Sequence, residues 1–274
     1  MLINFFLNST PLNSQKQILI EFARSIGGKC VNKHNKYEDC DVAVIFGSWK
    51  KSTSKEWKKG YVQHHSVKQS IIKHHKDKLL IVLETPLLGR TITDRHEYHR
   101  VGLNHFMRGL ADFNNKNSKP DRFNKLGLKI KPWRKKGDHV LIVGQNMYDA
   151  SLFGLDFEWW VKNTIQHLRR NTDRPIVFRD HPENKNLMKN LIDTYKWCNV
   201  SYSKNEDIKE DFKKAHCTVS YTSGSSIDSI LAGVPVIPCN EYNFVWPISS
   251  HSLEDIENPK LGEREQLLYD LAYA

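Results

Sequence analysis

Residues 220–238, SYTSGSSIDSILAGVPVIP, pass from a run of buried-strand type into a small hydroxyl-rich turn and then into a short helical pattern. The strand is CTVSY (Cys217 to Tyr221), the turn is Thr222-Ser223-Gly224-Ser225-Ser226, and the helix spans Ser226 to Ala232. Gly233 ends that helix as a C-terminal glycine does, and VPVIP (Val234 to Pro238) starts the next strand. A strand, tight turn, helix and strand in 22 residues form one unit of a parallel α/β sheet. Such a turn presents backbone N–H groups and hydroxyls to an anion, with Asp228 in the first helical turn placed to accept from ribose hydroxyls. A plain helix cap explains the same residues.

Two more polar clusters follow strands upstream. HVLIVG (His139 to Gly144) runs into GQNMYDAS (Gly144 to Ser151), and PIVFRDHP (Pro175 to Pro182) carries FRDHP (Phe178 to Pro182). Between them, Glu158 to Arg170 reads as a helix, followed by Lys185 to Tyr195 after the second strand. Ligands of open α/β sheets bind beyond the carboxyl ends of the strands. All three clusters occupy that position, so they are expected to converge on one crevice.

The amino-terminal half repeats the alternation. A helix from about Ser14 to Ile26 presents Ile18, Leu19, Phe22 and Ile26 on one face and ends at Gly27-Gly28. DVAVIFG (Asp41 to Gly47) and LLIVLE (Leu79 to Glu84) read as buried strands joined by a helix over Glu56 to His75. Residues 113–137 are polar, Asn/Lys/Pro-rich and aperiodic, as a linker is. The expected organisation is therefore a first α/β domain over 1–112, a linker over 113–137 and a second α/β domain over 138–274.

The chain has 274 residues, 39% hydrophobic and 26% charged, within the range of folded globular proteins and outside that of fibrous or disordered ones. No apolar run has membrane-spanning length, and the N-terminal MLINFFLNSTP lacks the basic start and cleavage site of a signal peptide, so a cytoplasmic location without membrane insertion is expected. The net charge of +10 is unevenly shared. Residues 1–137 hold 27 Lys+Arg against 11 Asp+Glu, and residues 138–274 hold 14 against 20. Clustered cations gain affinity for polyanions by releasing counterions, which points to a polyanionic partner for the first half; solubility alone also explains a lysine-rich surface.

Five cysteines without CxxC spacing argue against a disulfide framework and a zinc ribbon. The pairs His64/His65 and His74/His75 diverge on a helix and make poor chelates, so metal-independent chemistry is expected.

The three clusters GQxxxDxS, a basic residue two before His-Pro, and TSxSSxDxxLxGxPV, in this order over residues 139–240, resemble the capsular polysaccharide glycosyltransferase family. The resemblance implies a GT-B architecture, two Rossmann-like domains facing a central cleft, and a nucleotide-activated sugar as co-substrate, with a UDP-sugar expected. It implies that Gly144 and Gln145 line the donor pocket and that Arg179 and His181 approach the donor phosphate. It further implies that Ser223, Ser225 and Ser226 hold phosphate, and that Asp228, a departure from the family's usual Glu, contacts ribose.

The first half lacks those motifs and would take the acceptor. FGSWKK (Phe46 to Lys51) and LETPLLGRTITDRHEYHR (Leu83 to Arg100) concentrate charge after strand ends. Glu84 and Asp94 are the candidate bases, because a partly desolvated carboxylate can take the acceptor proton. His96 and His99 are alternatives, and pairing of Glu84 with Arg90 or Arg95 as scaffold is the competing explanation. Lys50, Lys51, Arg90, Arg95 and Arg100 are the candidate acceptor contacts, with Lys55, Lys58 and Lys59 nearby. Interleaved with Trp49, Trp57 and Tyr61, they suit a nucleic acid; core packing also explains the aromatics. The preferred acceptor is a hydroxymethylated pyrimidine in DNA, by analogy with bacteriophage DNA-modifying glycosyltransferases. The alternatives are a surface or lipid-linked saccharide acceptor and a non-catalytic nucleic-acid-binding protein.

Overall fold

The structure is a computed structural model of the chain. It describes every residue except Pro11, Lys185 and residues 33–36, 48–58 and 91–97, together with the backbone but not the side chains of 59–66. Two compact units divide the chain: residues 1–118 with 270–274, and residues 119–269.

The first unit is built on a five-stranded sheet. In chain order its elements are β1 (Ile3–Phe6), α1 (Asn13–Ile26), β2 (Lys29–Val31), β3 (Val42–Phe46), α2 (Lys59–His74), β4 (Leu79–Glu84) and β5 (Arg100–Leu103). The spatial order is β2-β1-β3-β4-β5. All five residues of β3 are buried, as in a strand covered on both faces. Leu19 and Ala23 of α1 pack with Phe5, Val44, Phe46 and Leu83, and Phe22 meets Phe5 edge-on at 5.3 Å. Burying side chains of this size contributes about 1.5–3 kcal/mol each. β5 departs from the expected parallel pattern. It runs antiparallel to β4, with Glu84 opposite Arg100.

The second unit contains α3 (Asp121–Lys125), β6 (His139–Val143), α4 (Phe157–Asn171), β7 (Ile176–Arg179), α5 (Lys189–Thr194), β8 (Val200–Tyr202), α6 (Ile208–Phe212), β9 (Ala215–Ser220), α7 (Ser225–Leu231), β10 (Val236–Pro238) and most of α8 (Glu265–Tyr273). Its sheet is parallel throughout, ordered β10-β9-β6-β7-β8. Alternation along β6 feeds two cores. Val140 and Ile142 join Trp160, Ile165 and Leu168 of α4, while Leu141 and Val143 join Phe212 and Val234 on the other face. Asp156 caps α4 by accepting the Trp159 N–H at 3.0 Å. The strand order reverses between β6 and β9, which makes their carboxyl ends the topological switch point where such sheets bind ligands.

Residues 113–137, read from sequence as a linker, are held by both units. Asn115 Nδ2 donates to the Asp270 carbonyl at 2.7 Å, and the Ser118 N–H to the Asp270 carboxylate at 2.8 Å. Further along, α3 buries Phe123, Lys131 N–H donates to the Leu231 carbonyl at 3.0 Å, and Arg134 N–H to the Gly233 carbonyl at 2.7 Å. Arg264 stacks 3.7 Å from the Trp133 ring and donates to the Ile230 carbonyl at 2.8 Å. The aperiodic sequence thus reflects irregular backbone laid on α7.

Gly233 makes this arrangement possible: its φ is +77°, and a Cβ there would lie 2.1 Å from the Pro132 carbonyl oxygen. Gly233→Ala is therefore expected to destabilise the second unit by more than about 1 kcal/mol. Urea unfolding monitored in that unit checks this; an unchanged midpoint contradicts it.

Candidate functional site

The carboxyl ends of β6, β7 and β9 come together in the second unit. Gly144 follows β6 and leaves no room for a side chain, since a Cβ would lie 2.9 Å from the Arg179 carbonyl oxygen. Its N–H donates to that same oxygen at 2.7 Å, closing the β6 and β7 ends together.

Gln145 is buried and spans the switch point. Its Nε2 donates to Ser151 Oγ at 2.5 Å and to Thr222 Oγ1 at 3.1 Å, and its Oε1 accepts the Thr222 N–H at 3.3 Å. Thr222 Oγ1 lies 2.9 Å from the Ser151 carbonyl. Asp149 explains the acidic residue of the GQxxxDxS pattern: it caps the turn by accepting both the N–H and the hydroxyl of Ser151 at 2.9 Å.

The β7 turn is organised by Asp180 and Asn184. Asp180 Oδ1 accepts the His181 N–H at 2.8 Å and Asn184 Nδ2 at 2.7 Å. Asn184 Nδ2 also donates to the Gln145 carbonyl at 2.9 Å, tying this turn to the β6 turn. Tyr202, whose phenol is pushed up to about 12 by burial and by the Asp180 carboxylate, stays protonated and donates to Asp180 Oδ2 at 3.3 Å. His181 is half-buried, and its Nδ1 accepts the Glu183 N–H at 3.2 Å. In the neutral ring the proton therefore sits on Nε2, which becomes a donor.

The other expected donor residues occupy different surroundings. Arg179 is spent on protein acceptors: Nη1 donates to Asp211 at 2.7 Å and to the Asn205 carbonyl at 2.9 Å, and Nη2 to the Glu206 carbonyl at 2.7 Å. Ser226 is fully buried, its hydroxyl 2.7 Å from Ser220 Oγ and 3.0 Å from Asn243 Nδ2. Ser223 lies on the turn before α7 and its Oγ accepts the Ser225 N–H at 3.3 Å. Ser225 is half-buried at the first position of α7, and Asp228 is exposed one turn on.

In the first unit, Glu84 is half-buried at the end of β4, and its Oε1 accepts the Thr85 N–H at 2.8 Å. Lys68 of α2 lies at the same end of the sheet: its Nζ and Glu84 Oε2 both approach the bare face of Gly47, 3.2 and 4.0 Å from where a Cβ would stand. Burial pushes the Lys68 ammonium down to about 8, opposed by attraction to Glu84. Arg90 is exposed and donates to the Pro86 carbonyl at 2.9 Å. Arg100 is buried, its guanidinium 5.9 Å from the Phe106 ring centre. His99 packs edge-on against Phe46 at 5.9 Å. Lys50, Lys51, Asp94 and Arg95, with Trp49, Lys55, Trp57, Lys58 and His96, lie outside the described residues, as do the side chains of Lys59, Tyr61, His64 and His65. Among the described residues no group of three or more His, Cys, Asp or Glu is placed to hold a metal ion, and no helix is long and apolar enough to cross a membrane.

Lys68, Asn184 and Asn243 were not singled out from sequence. Lys68 left a signal, a lysine among the apolar positions Val67, Ile71 and Ile72 of its helix; the asparagines left none.

No protein-family model matches the chain, and no curated protein matches it in sequence. Its fold does match solved structures. A Thermosulfurimonas dismutans KpsC structure described as a beta Kdo 2,7 transferase is similar at a TM-score of 0.61 and 14% identity, over 99% of this chain and 90% of that one. A second, described as the KpsC beta Kdo 2,4 transferase of the same organism, gives 0.56 and 15% over the same shares. The chain thus has the α/β fold of two Rossmann-like units expected for the GT-B type.

Because Glu84 supports the charged form of Lys68, Glu84→Gln is expected to move the Lys68 titration below about 8. NMR of the lysine side-chain carbons against pH reads this directly; an unmoved or raised midpoint contradicts the pairing.

Proposed function

We infer that the chain is a glycosyltransferase that takes an activated sugar from a nucleotide donor on the second unit and passes it to a hydroxyl of a saccharide acceptor served by the first. The observation that carries this reading is the junction at the switch point. The turns after β6, β7 and β9 are locked together by Gln145 and Asn184 and present His181 Nε2–H and the Ser223–Ser225 turn beside them. The shared fold of two Kdo transferases over nearly the whole chain supports the same class.

In the reaction the bond between the anomeric carbon and the donor phosphate oxygen breaks, and a bond from the acceptor oxygen to that carbon forms. Negative charge grows on the departing phosphate, where His181 Nε2–H and the Ser225 hydroxyl stabilise it. The acceptor proton passes to a carboxylate, for which Glu84 is the described candidate, with Lys68 beside it. Arg179 serves indirectly by fastening the 203–211 segment behind β7. Ser226 holds the turn from within.

A saccharide acceptor fits the similar structures, which are named as sugar transferases, better than a hydroxymethylated base does. Among the described residues nothing supports the DNA acceptor. UDP-, GDP- and CMP-sugars form the donor panel.

Nucleotides of that panel are expected to raise the melting temperature. At 100 times Kd the stabilisation is about 2.7 kcal/mol, worth several degrees for a unit of this size. His181→Ala is expected to shrink that shift and to slow transfer by about 10²-fold. A melting temperature unmoved by every nucleotide and sugar conjugate, with no mass gain on saccharide acceptors, refutes the reading; mass gain on hydroxymethylated DNA alone would reinstate the nucleic-acid acceptor.

A further inference from the structure

The outer edge of the second sheet carries a cavity that this reaction does not use. β8 is the last strand and pairs only with β7 among the described residues. Along it, against α5, lies an open cavity of about 870 Å³. Lys189, Lys196 and Lys204 bring three ammonium groups to its wall, and Asn186, Asn199 and Asn205 bring three amides. Its one lining carboxylate, Asp193, sits 3.1 Å from Lys196. Lys189 and Lys204 have no carboxylate within ion-pair distance among the described residues, so the cavity keeps two uncompensated positive charges. On the turn between α5 and β8, Trp197 is 81% exposed and stacks on Tyr195 at 6.5 Å.

These groups suit a polyhydroxylated ligand that also carries carboxylates. Amides and hydroxyls exchange hydrogen bonds with sugar hydroxyls, ammonium groups pair with carboxylates, and an exposed indole offers a flat apolar face to a sugar ring. A nucleic acid carries a phosphate at every nucleotide and gains from a dense run of cations. This cavity offers two uncompensated cations, too few for such a partner.

We propose that the β8-edge cavity binds an acidic oligosaccharide, one bearing carboxylates on its sugars, through Lys189, Lys204 and the Asn186 and Asn199 amides, with Trp197, the neighbour of the lining residue Lys196, meeting a sugar ring outside the cavity lining. The site is distinct from the switch-point junction but joined to it. The Tyr202 hydroxyl is shared between Asn186 Oδ1 at 2.8 Å, on the cavity wall, and Asp180 Oδ2 at 3.3 Å, and Asp180 holds the His181 N–H at 2.8 Å. A chain seated there lies one hydrogen-bonded layer from the His181 turn. This inference goes beyond the transferase reading and does not require it.

The test is calorimetric titration of the full chain with tetragalacturonate, with maltotetraose as the neutral saccharide and a short oligothymidylate as the nucleic acid, at matched ionic strength. Tetragalacturonate is expected to bind about tenfold or more tighter than either control. The double variant Lys189→Gln/Lys204→Gln is expected to lose about tenfold in that affinity, and Trp197→Ala to weaken both saccharides. All three side chains are exposed, so both variants should keep the wild-type melting temperature and its rise with nucleotide. No binding of tetragalacturonate, binding that survives both variants, or tighter binding of oligothymidylate would each overturn the proposal. If nucleotides leave the melting temperature unmoved while lysine-dependent saccharide binding persists, the transferase reading fails and this site stands.

Discussion

One side chain bears the greatest constraint in the second unit. Gln145 leaves the end of β6 and hydrogen-bonds the β9 turn at Thr222 with both ends of its amide, while also donating to Ser151. A buried amide left unpaired costs about 1–3 kcal/mol, so the β6 and β9 turns are held in a single register. The strand order reverses there, and in sheets of this kind such a reversal marks the crevice where ligands bind. The remaining polar groups are arranged around that bridge: Asn184 fastens the β7 turn to the Gln145 carbonyl, and Asp180 fastens the residues that follow. Local rigidity of this kind is what allows a turn to present donors to a developing charge without reorganising first.

The first unit solves a different problem. Its sheet ends in a half-buried carboxylate beside a half-buried lysine, close enough that the carboxylate favours the charged form of the lysine. Burial alone would drive Lys68 to its neutral form; the Glu84 carboxylate resists this, and the balance leaves the lysine poised near physiological pH. The charge asymmetry between halves follows the same division. The strongly basic half is the one without the switch-point turns, while in the acidic half the positive charges that matter are few and placed, as at Lys189 and Lys204.

Much of this was legible in the sequence because long elements carry their own periodicity. β3, β4 and β6 are largely apolar runs, β9 alternates Cys217 and Val219 with polar residues, and α1 and α4 show apolar stripes with clear end signals. β2, β5 and β8 were not seen, since strands of three or four residues at the ends of the sheets, KCV, RVGL and VSY, are too short for a period to stand out. The site divides in the same way. Spacing located the turns that meet, but not the direction in which each side chain leaves the backbone. Ser226 and Arg179 stand in the expected segments, yet one hydroxyl is buried under Asn243 and the guanidinium is held by Asp211. Those outcomes depend on partners 17 and 32 residues away, which no local pattern encodes.

The central claim is that the switch-point turns hold the donor nucleotide. Amide hydrogen exchange of the full chain, with and without each nucleotide of the donor panel, tests it most directly, because exchange reports where a ligand restrains the backbone. The account predicts slowed exchange in three separated segments together, 144–151, 180–184 and 222–226, with the nucleotide that is the true donor moiety. Protection confined to the first unit, or to one of those segments without the others, would contradict it.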